Sequence, residues 1–175
     1  KDKFFGSLVI AAKIYSPDKG IISVPGNYFH FSYDHSHLQI TKDVVLSVTL
    51  ELMTGDKDNL WLSARDALIY RQKTQPNNIA SAGCLFKNID QSDALRLATP
   101  KYTCSAGYLL EAAGLKGASR GQAKFSEQHA NFLLNLGEAS SNDVLELINL
   151  AKKKVKLKFG IDLHLEIVVL KERIE

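Results

Sequence analysis

The stretch Ser81-Ala82-Gly83-Cys84-Leu85-Phe86-Lys87-Asn88 sets a thiol, an ammonium and a carboxamide close together behind small residues and a glycine. Small side chains let the backbone approach a ligand, and the three polar groups can supply a proton, an anion partner and an amide partner. The same residues are equally those of a free cysteine packed as a small hydrophobe in a turn. Glu166 is the second unusual group, a carboxylate between Leu165 and Ile167 in an otherwise apolar run. It is either buried on one side, which is costly without a partner or a purpose, or turned to solvent beside His164 from one side of a sheet. His35 and His37, with Asp34 adjacent, would share a face of a strand, but no third ligand is marked and no metal is expected. Lone His129, within Ser126-Glu127-Gln128-His129-Ala130-Asn131, reads on pattern alone as a structural histidine.

These groups need elements to hold them. Leu8 to Tyr15, a turn at Ser16-Pro17-Asp18-Lys19-Gly20, and Ile21 to Val24 form a strand-turn-strand pattern. Asp43 to Leu52 alternates Val44, Leu46, Val48 and Leu50 against Val45, Ser47, Thr49 and Glu51, which predicts a strand with one face in a core. Leu60 to Arg71 carries Leu60, Ala64, Ala67 and Leu68 at helical spacing, and Pro76-Asn77-Asn78 ends that helix and marks a domain boundary. Beyond it come a short helix from Ala106 to Ala113 stopped by Gly114, a strand from Asn131 to Leu134, and a long helix. Ser140 with Asp143, or Ser141 directly, caps the long helix; Val144, Leu147, Ile148, Ala151 and Val155 form its buried stripe, and Gly160 stops it. Lys152, Lys153, Lys154, Lys156 and Lys158 crowd its last turns, where cations complement the helix dipole; a solvated helix end explains them better than a phosphate site. A last strand, Leu163 to Leu170, would point His164, Glu166 and Val168 to one face.

Composition bounds the possibilities. With 175 residues, 45% of them apolar and 23% charged, the chain is long and apolar enough to fold as one domain or two small ones without staples. A net charge of +3 without a basic cluster points away from nucleic acid, and Trp61 with scattered Tyr and Phe makes no stacking platform for bases. Cys84 and Cys104 lack CxxC spacing, so neither a disulfide framework nor a zinc site is indicated, and a reducing, cytoplasmic compartment is the default. The apolar run Leu8 to Ala12 falls far short of the roughly 20 residues of a membrane-spanning helix and lacks a signal peptide's cleavage pattern. The chain opens at Lys1, directly on a strand-like run, which suggests a fragment.

Four ordered blocks then carry a resemblance: SAGCLFKN, SAGYLLEAAGLKG, FSEQHANFLLN with GEASSNDVLELI, and FGIDLHLEIVVL. In that order and at those intervals they resemble the C-terminal half of the UDP-N-acetylenolpyruvoylglucosamine reductases (MurB), of the short type without an extra tyrosine loop. Upstream, YDHSHLQ followed by VVLSVTLEL resembles the end of that family's second flavin-domain lobe. The resemblance implies an α+β chain: residues 1–75 a remnant of the FAD-binding lobe with a linking helix, and 76–175 a substrate-binding domain with helices packed on a small mixed sheet. The implied activity is reduction of the enolpyruvyl group of a UDP-sugar to UDP-N-acetylmuramate, with NADPH reducing FAD and the flavin delivering hydride.

Residue by residue, the resemblance implies that Cys84 protonates the carbon beside the substrate carboxylate. Glu166 would assist with charge or a proton from a partly apolar setting, and Lys87 and Asn88 would bind the nucleotide-sugar, as would Arg71, Tyr102 and His129. The sequence departs from the pattern at two points. Tyr33-Asp34-His35-Ser36 stands where the family has a Tyr-Arg pair whose arginine counts as catalytic, so the charge there is reversed, and Gly121-Gln122-Ala123 stands where the pattern reads GGA. No segment resembles the glycine-rich flavin-binding stretches, which would precede Lys1. The chain alone is therefore expected to be inactive without the missing N-terminal half, its cofactor-binding residues unknown. The alternative expectation is a non-catalytic UDP-sugar-binding or interaction module, needing neither Cys84 nor Glu166.

Overall fold

A computed structural model describes residues 4–170, in two compact units, Lys1–Trp61 and Leu62–Glu175. In the first, β1 (Val9–Ser16), β2 (Gly20–Pro25) and β3 (Val44–Leu50) form an antiparallel sheet in the order β2-β1-β3. The strand-turn-strand expectation is met, with Ser16 opposite Gly20 across the turn. Val9, Ala12, Ile14, Val24 and Phe29 make the core of this unit. Between β2 and β3 lies the one-turn helix α1 (Leu38–Thr41), and the Tyr28 hydroxyl donates a hydrogen bond to Asp43 just before β3. That bond holds the Asp43 carboxyl below its ordinary range.

β3 departs from expectation. It is a strand with the predicted alternation, yet its apolar side chains Val44, Leu46 and Val48 are 55, 51 and 44% exposed. Alternation reports which face is fit for burial and not what covers it. The same holds for α2 (Lys57–Thr74), which begins in the first unit and runs into the second. Asp56 caps it, its carboxylate accepting the Asn59 N–H at 2.9 Å, but no residue of the helix is buried and Trp61 stands 68% exposed. Among the described residues, no helix is long and apolar enough to cross a membrane.

In the second unit, β4 (Ala80–Cys84), β5 (Ser119–Arg120), β6 (Ala123–Phe125) and β7 (Phe132–Asn135) form a sheet in the order β4-β7-β6-β5. Every pairing among these strands is antiparallel, β5-β6 and β6-β7 through short connections and β4-β7 across a long one that carries two helices, which corrects the expectation of a mixed sheet. The helices α3 (Gln91–Arg96), α4 (Ala106–Ala112) and α5 (Ser141–Phe159) complete an α+β arrangement. α5 forms where its signals place it. Ser140 Oγ accepts the Asp143 N–H at 3.1 Å while the Asp143 carboxylate accepts the Ser140 N–H at 2.9 Å, a reciprocal capping box, and Gly160 ends the helix in the left-handed conformation. Leu147, Ile148, Ala151 and Val155 are buried on one stripe against Leu109, Leu110 and Phe125, and Val144 is half-buried beside them. Two of the lysines at its end are engaged: Lys156 pairs with Asp162, and Lys158 Nζ donates to the Ala112 carbonyl at the end of α4.

The expected last strand, Leu163 to Leu170, is not formed. A single antiparallel bridge joins Leu165 to Phe86, and the chain bends at Glu166 and Ile167, so alternation continues in burial without a ladder of hydrogen bonds. Ser140→Ala is expected to lower the stability of the second unit by about 1 kcal/mol. Urea unfolding followed by the helical signal should show a lower midpoint at unchanged slope. An unchanged midpoint would mean that the capping box stabilises nothing.

Candidate active site

The site is built around the segment that follows β4. Across β4 and β7, Ser81 pairs with Leu134 but Cys84 with Phe132, so β4 carries an extra residue and bulges at Ala82-Gly83. Gly83 has φ +87, a conformation that any side chain would strain, and its N–H is held by Ser81 Oγ at 3.1 Å. The bulge re-aims the residue that follows it, which is Cys84.

Beyond the bulge, residues 85–87 are gripped from two sides. From one side comes Asn131, which is 3% exposed. Its backbone carbonyl accepts the Leu85 N–H at 2.7 Å, its Oδ1 accepts the Phe86 N–H at 2.9 Å, and its Nδ2 donates to the Phe86 carbonyl at 2.8 Å. From the other side come residues 164–166: the Glu166 N–H donates to the Leu85 carbonyl at 3.0 Å, and the Lys87 N–H to the His164 carbonyl at 2.9 Å. A short apolar stretch is thereby supplied with backbone partners on both edges, and Glu166 is tied to the strand that carries Cys84.

The turn that presents Asn131 is local. Ser126 is buried, and its hydroxyl accepts the N–H groups of Gln128 at 3.1 Å and His129 at 3.3 Å, while the His129 carbonyl accepts the Phe132 N–H at 2.9 Å. His129 packs edge-on against Phe132, 5.0 Å between ring centres, and its Nδ1 accepts the Asn131 N–H at 3.3 Å. A β-carbon on Gly107 of α4 would stand 2.9 Å from His129 Cε1, so the close approach of the turn to α4 depends on that glycine.

The thiol of Cys84 is half-buried, and its pKa is raised above the ordinary thiol value. Burial is the first cause, the negative charge of Glu166 the second, and a hydrogen bond with the Asn131 side chain opposes both. A protonated thiol facing a carboxylate at neutral pH is suited to giving up a proton to a substrate carbon and unsuited to standing as a free thiolate.

The other expected site residues are dispersed differently. Glu166 itself is exposed and does not sit in the partly apolar setting expected of it; the solvent-facing geometry beside exposed His164 is the one observed. Lys87 is the last residue of the gripped segment and is half-buried. Asn88 Oδ1 accepts the Ala106 N–H at the start of α4, 3.1 Å away, so this amide is in part a helix anchor. Tyr102 is 59% exposed in a tight loop where it and Lys101 both have positive φ. Arg71 lies exposed on α2, and its Nε donates to Gln75, just beyond the helix end, at 3.3 Å. In the first unit, Asp34 has φ +49 in the turn bridged by Ser32 and His35, and His37 lies edge-on to the rings of Tyr28 and His30. Among the described residues, no group of three or more His, Cys, Asp or Glu is placed to share a metal ion.

Asn131 is the residue that sequence reasoning missed. Its signal was a carboxamide set between Ala130 and Phe132 at the mouth of a strand, a position that an apolar residue would ordinarily take. A cavity of about 340 Å³ nearby is lined by Gly83, Leu85, Val144 and Ile167 among others, while neither Cys84 nor Glu166 borders it, so the thiol and the cavity are separate features. The positive-φ glycines of the described residues stand singly at turns, helix ends and the bulge. Among the described residues no Gly-x-Gly-x-x-Gly run opens a helix.

Glu166→Gln removes the like charge beside the thiol and is expected to shift the Cys84 titration to lower pH. The rate of alkylation by iodoacetamide, followed against pH with Cys104 replaced by Ala, measures it. An unmoved midpoint would show that the carboxylate does not act on the thiol.

Comparison with known proteins bears on the family and the fold. The family model described as UDP-N-acetylenolpyruvoylglucosamine reductase, C-terminal domain, matches residues 75–170. The UDP-N-acetylenolpyruvoylglucosamine reductase of Anoxybacillus flavithermus is 39% identical over 163 residues, covering 93% of this chain and 50% of that protein. The enzyme of the same name from Nitratidesulfovibrio vulgaris is 34% identical over 168 residues, covering 95% and 53%. The crystal structure of the Thermus caldophilus UDP-N-acetylenolpyruvylglucosamine reductase superposes with a TM-score of 0.71 at 31% identity, over 92% of this chain and 52% of that one. The chain spans about half the length of the curated relatives it matches. With more than half of its residues matched by the family model, and its two sheets and helices shared with a solved relative, the chain belongs to the UDP-N-acetylenolpyruvoylglucosamine reductase (MurB) family, whose C-terminal domain it contains.

Proposed function

We propose that this chain is the substrate-binding, proton-donating half of a cytoplasmic reductase that converts UDP-N-acetylglucosamine enolpyruvate to UDP-N-acetylmuramate for peptidoglycan synthesis. FAD, reduced by NADPH and held mainly through segments outside this chain, supplies the hydride. The observation that carries the reading is the half-buried Cys84, kept protonated by burial and by the charge of Glu166, on the backbone stretch that leads into Lys87 and Asn88.

The residues divide the work as follows. The enolpyruvyl carbons gain one hydride and one proton, and the proton goes to the carbon bearing the carboxylate, where Cys84 Sγ–H is the donor. The Lys87 ammonium and the Asn88 amide are the groups beside it for phosphate or sugar oxygens. Arg71, Tyr102 and His129 complete the proposed substrate contacts, His129 through the turn it braces. Glu166 raises the proton affinity of the thiol, which favours reprotonation of Cys84 from solvent after each turnover.

The test supplies the other half of the fold, taken as the unmatched part of the Anoxybacillus flavithermus enzyme and co-expressed with this chain. Oxidation of NADPH dependent on UDP-N-acetylglucosamine enolpyruvate should appear. Cys84→Ala should cut turnover by about 10²–10⁴-fold, the range of general acid catalysis, and Cys84→Ser should keep most of it. Retained substrate affinity with undiminished turnover in Cys84→Ala would overturn the role of the thiol. Affinity without any turnover in the parent would favour a binding module.

A further inference from the structure

The small core of the first unit stops short at one edge. Ala12 and Ile14 of β1 are buried with Val9, Val24 and Phe29. Cross-strand partners share a face of a sheet. β3 sets Leu50 opposite Val9, Val48 opposite Ala12 and, its register stepping past Leu46, Val45 opposite Ile14. These three side chains therefore extend the apolar face of β1. Leu50 packs half-buried against the core, but Val45 and Val48 are 38 and 44% exposed. The core thus runs out across β3 uncovered, in a unit whose sheet has three strands and whose core is five buried side chains.

The backbone of β3 is open in the same way. In the order β2-β1-β3 it pairs with β1, and among the described residues no strand meets its outer edge. An unpaired edge is a template for another strand, and sheets that leave one to water blunt it with charge, proline or a short length. The opposite edge, β2, ends on Pro25. β3, Val-Val-Leu-Ser-Val-Thr-Leu, carries neither charge nor proline over seven residues. An unblunted edge beside an unfinished apolar face is what an interior strand presents when its neighbour is taken away.

We propose that β3 is an interior strand of a larger sheet, its outer edge and apolar face covered by a strand and apolar side chains from the half of the fold that the relatives carry and this chain does not. Two observations select that occupant. The match to the Thermus caldophilus structure takes in 92% of this chain and 52% of that one, so it reaches into the first unit and leaves about half of that protein without a counterpart here. A second copy of this chain is the other candidate, and charge opposes it. Two β3 strands paired antiparallel over their whole length would set Asp43 opposite Glu51 at both ends, and like charges directly opposite each other repel. The inference stands on family membership and not on the reductase reading.

The test uses this chain co-expressed with a tagged, unmatched part of the Anoxybacillus flavithermus enzyme, and reads neither flavin nor turnover. Amide hydrogen exchange of residues 44–50, compared between the chain alone and the complex, should slow on assembly by about tenfold or more relative to that of β2. Val48→Lys, which sets a charge on the open face, should abolish co-purification, whereas Leu157→Lys, at an exposed apolar position on α5, should leave it intact. Sedimentation of the chain alone should give a monomer. A complex in which β3 gains no protection over β2, a Val48→Lys chain that still assembles, or no assembly of the unaltered chain overturns the proposal. So does a dimer of the chain alone with β3 already protected, the result a second copy would give. Assembly as described without any turnover supports it while removing the reductase reading.

Discussion

The candidate site depends on one buried carboxamide. Residues 85–87 continue β4 past its bulge, where β7 no longer pairs with them strand to strand, and Asn131 takes the place of a strand by offering one backbone and two side-chain hydrogen bonds. A buried backbone without partners is costly, so these bonds are what let the chain beyond the bulge, Leu85 and Phe86, enter the hydrophobic core. The consequence is chemical. A bulge held rigidly on its far side points a thiol where a regular strand would not, and the tail that closes the other edge brings Glu166 to it.

The helices α4 and α5 and the strand β7 of the second unit were legible because their signals are local, whereas β4, α3, β5 and β6 were not read from the sequence. Ser140 and Asp143 cap α5, Gly160 stops it, Gly114 stops α4, and the spacing of Leu147, Ile148, Ala151 and Val155 fixes which face is buried. What was not legible depends on partners far along the chain. The tail after Gly160 alternates like a strand, yet it makes a single bridge to Phe86 and then bends, and no pattern within Leu163 to Leu170 encodes that. The alternation of β3 and the stripe of α2 likewise mark faces suited to burial that no described residue covers.

The site was legible in part and for a related reason. Cys84 and Glu166 stand out as chemistry in unlikely surroundings, which a sequence displays directly. Asn131 does not, because its function lies in pairing with backbone 45 positions earlier, and any carboxamide looks alike until that backbone is in place. Asn88 shows the converse: chosen as a ligand for a nucleotide-sugar, it also anchors the first turn of α4, and one amide oxygen can serve both only if its second lone pair faces the ligand. Arg71 is placed near the end of α2 with its guanidinium engaged by Gln75 just beyond the helix, while the adjacent Gln72 carbonyl accepts the Gln128 side-chain N–H of the turn that presents Asn131.

The central claim is that the reacting end of an enolpyruvyl UDP-sugar rests against Cys84 and Glu166, with the remainder of the substrate toward Lys87 and Asn88. Titration of the isotopically labelled chain with UDP-N-acetylglucosamine enolpyruvate, followed by amide chemical shifts, tests it most directly. The account predicts shifts concentrated in residues 83–88, in the turn 128–131 and at 164–167. Shifts confined to the cavity lined by Ala80, Ser140 and Val144, or no shifts at millimolar ligand, would contradict it.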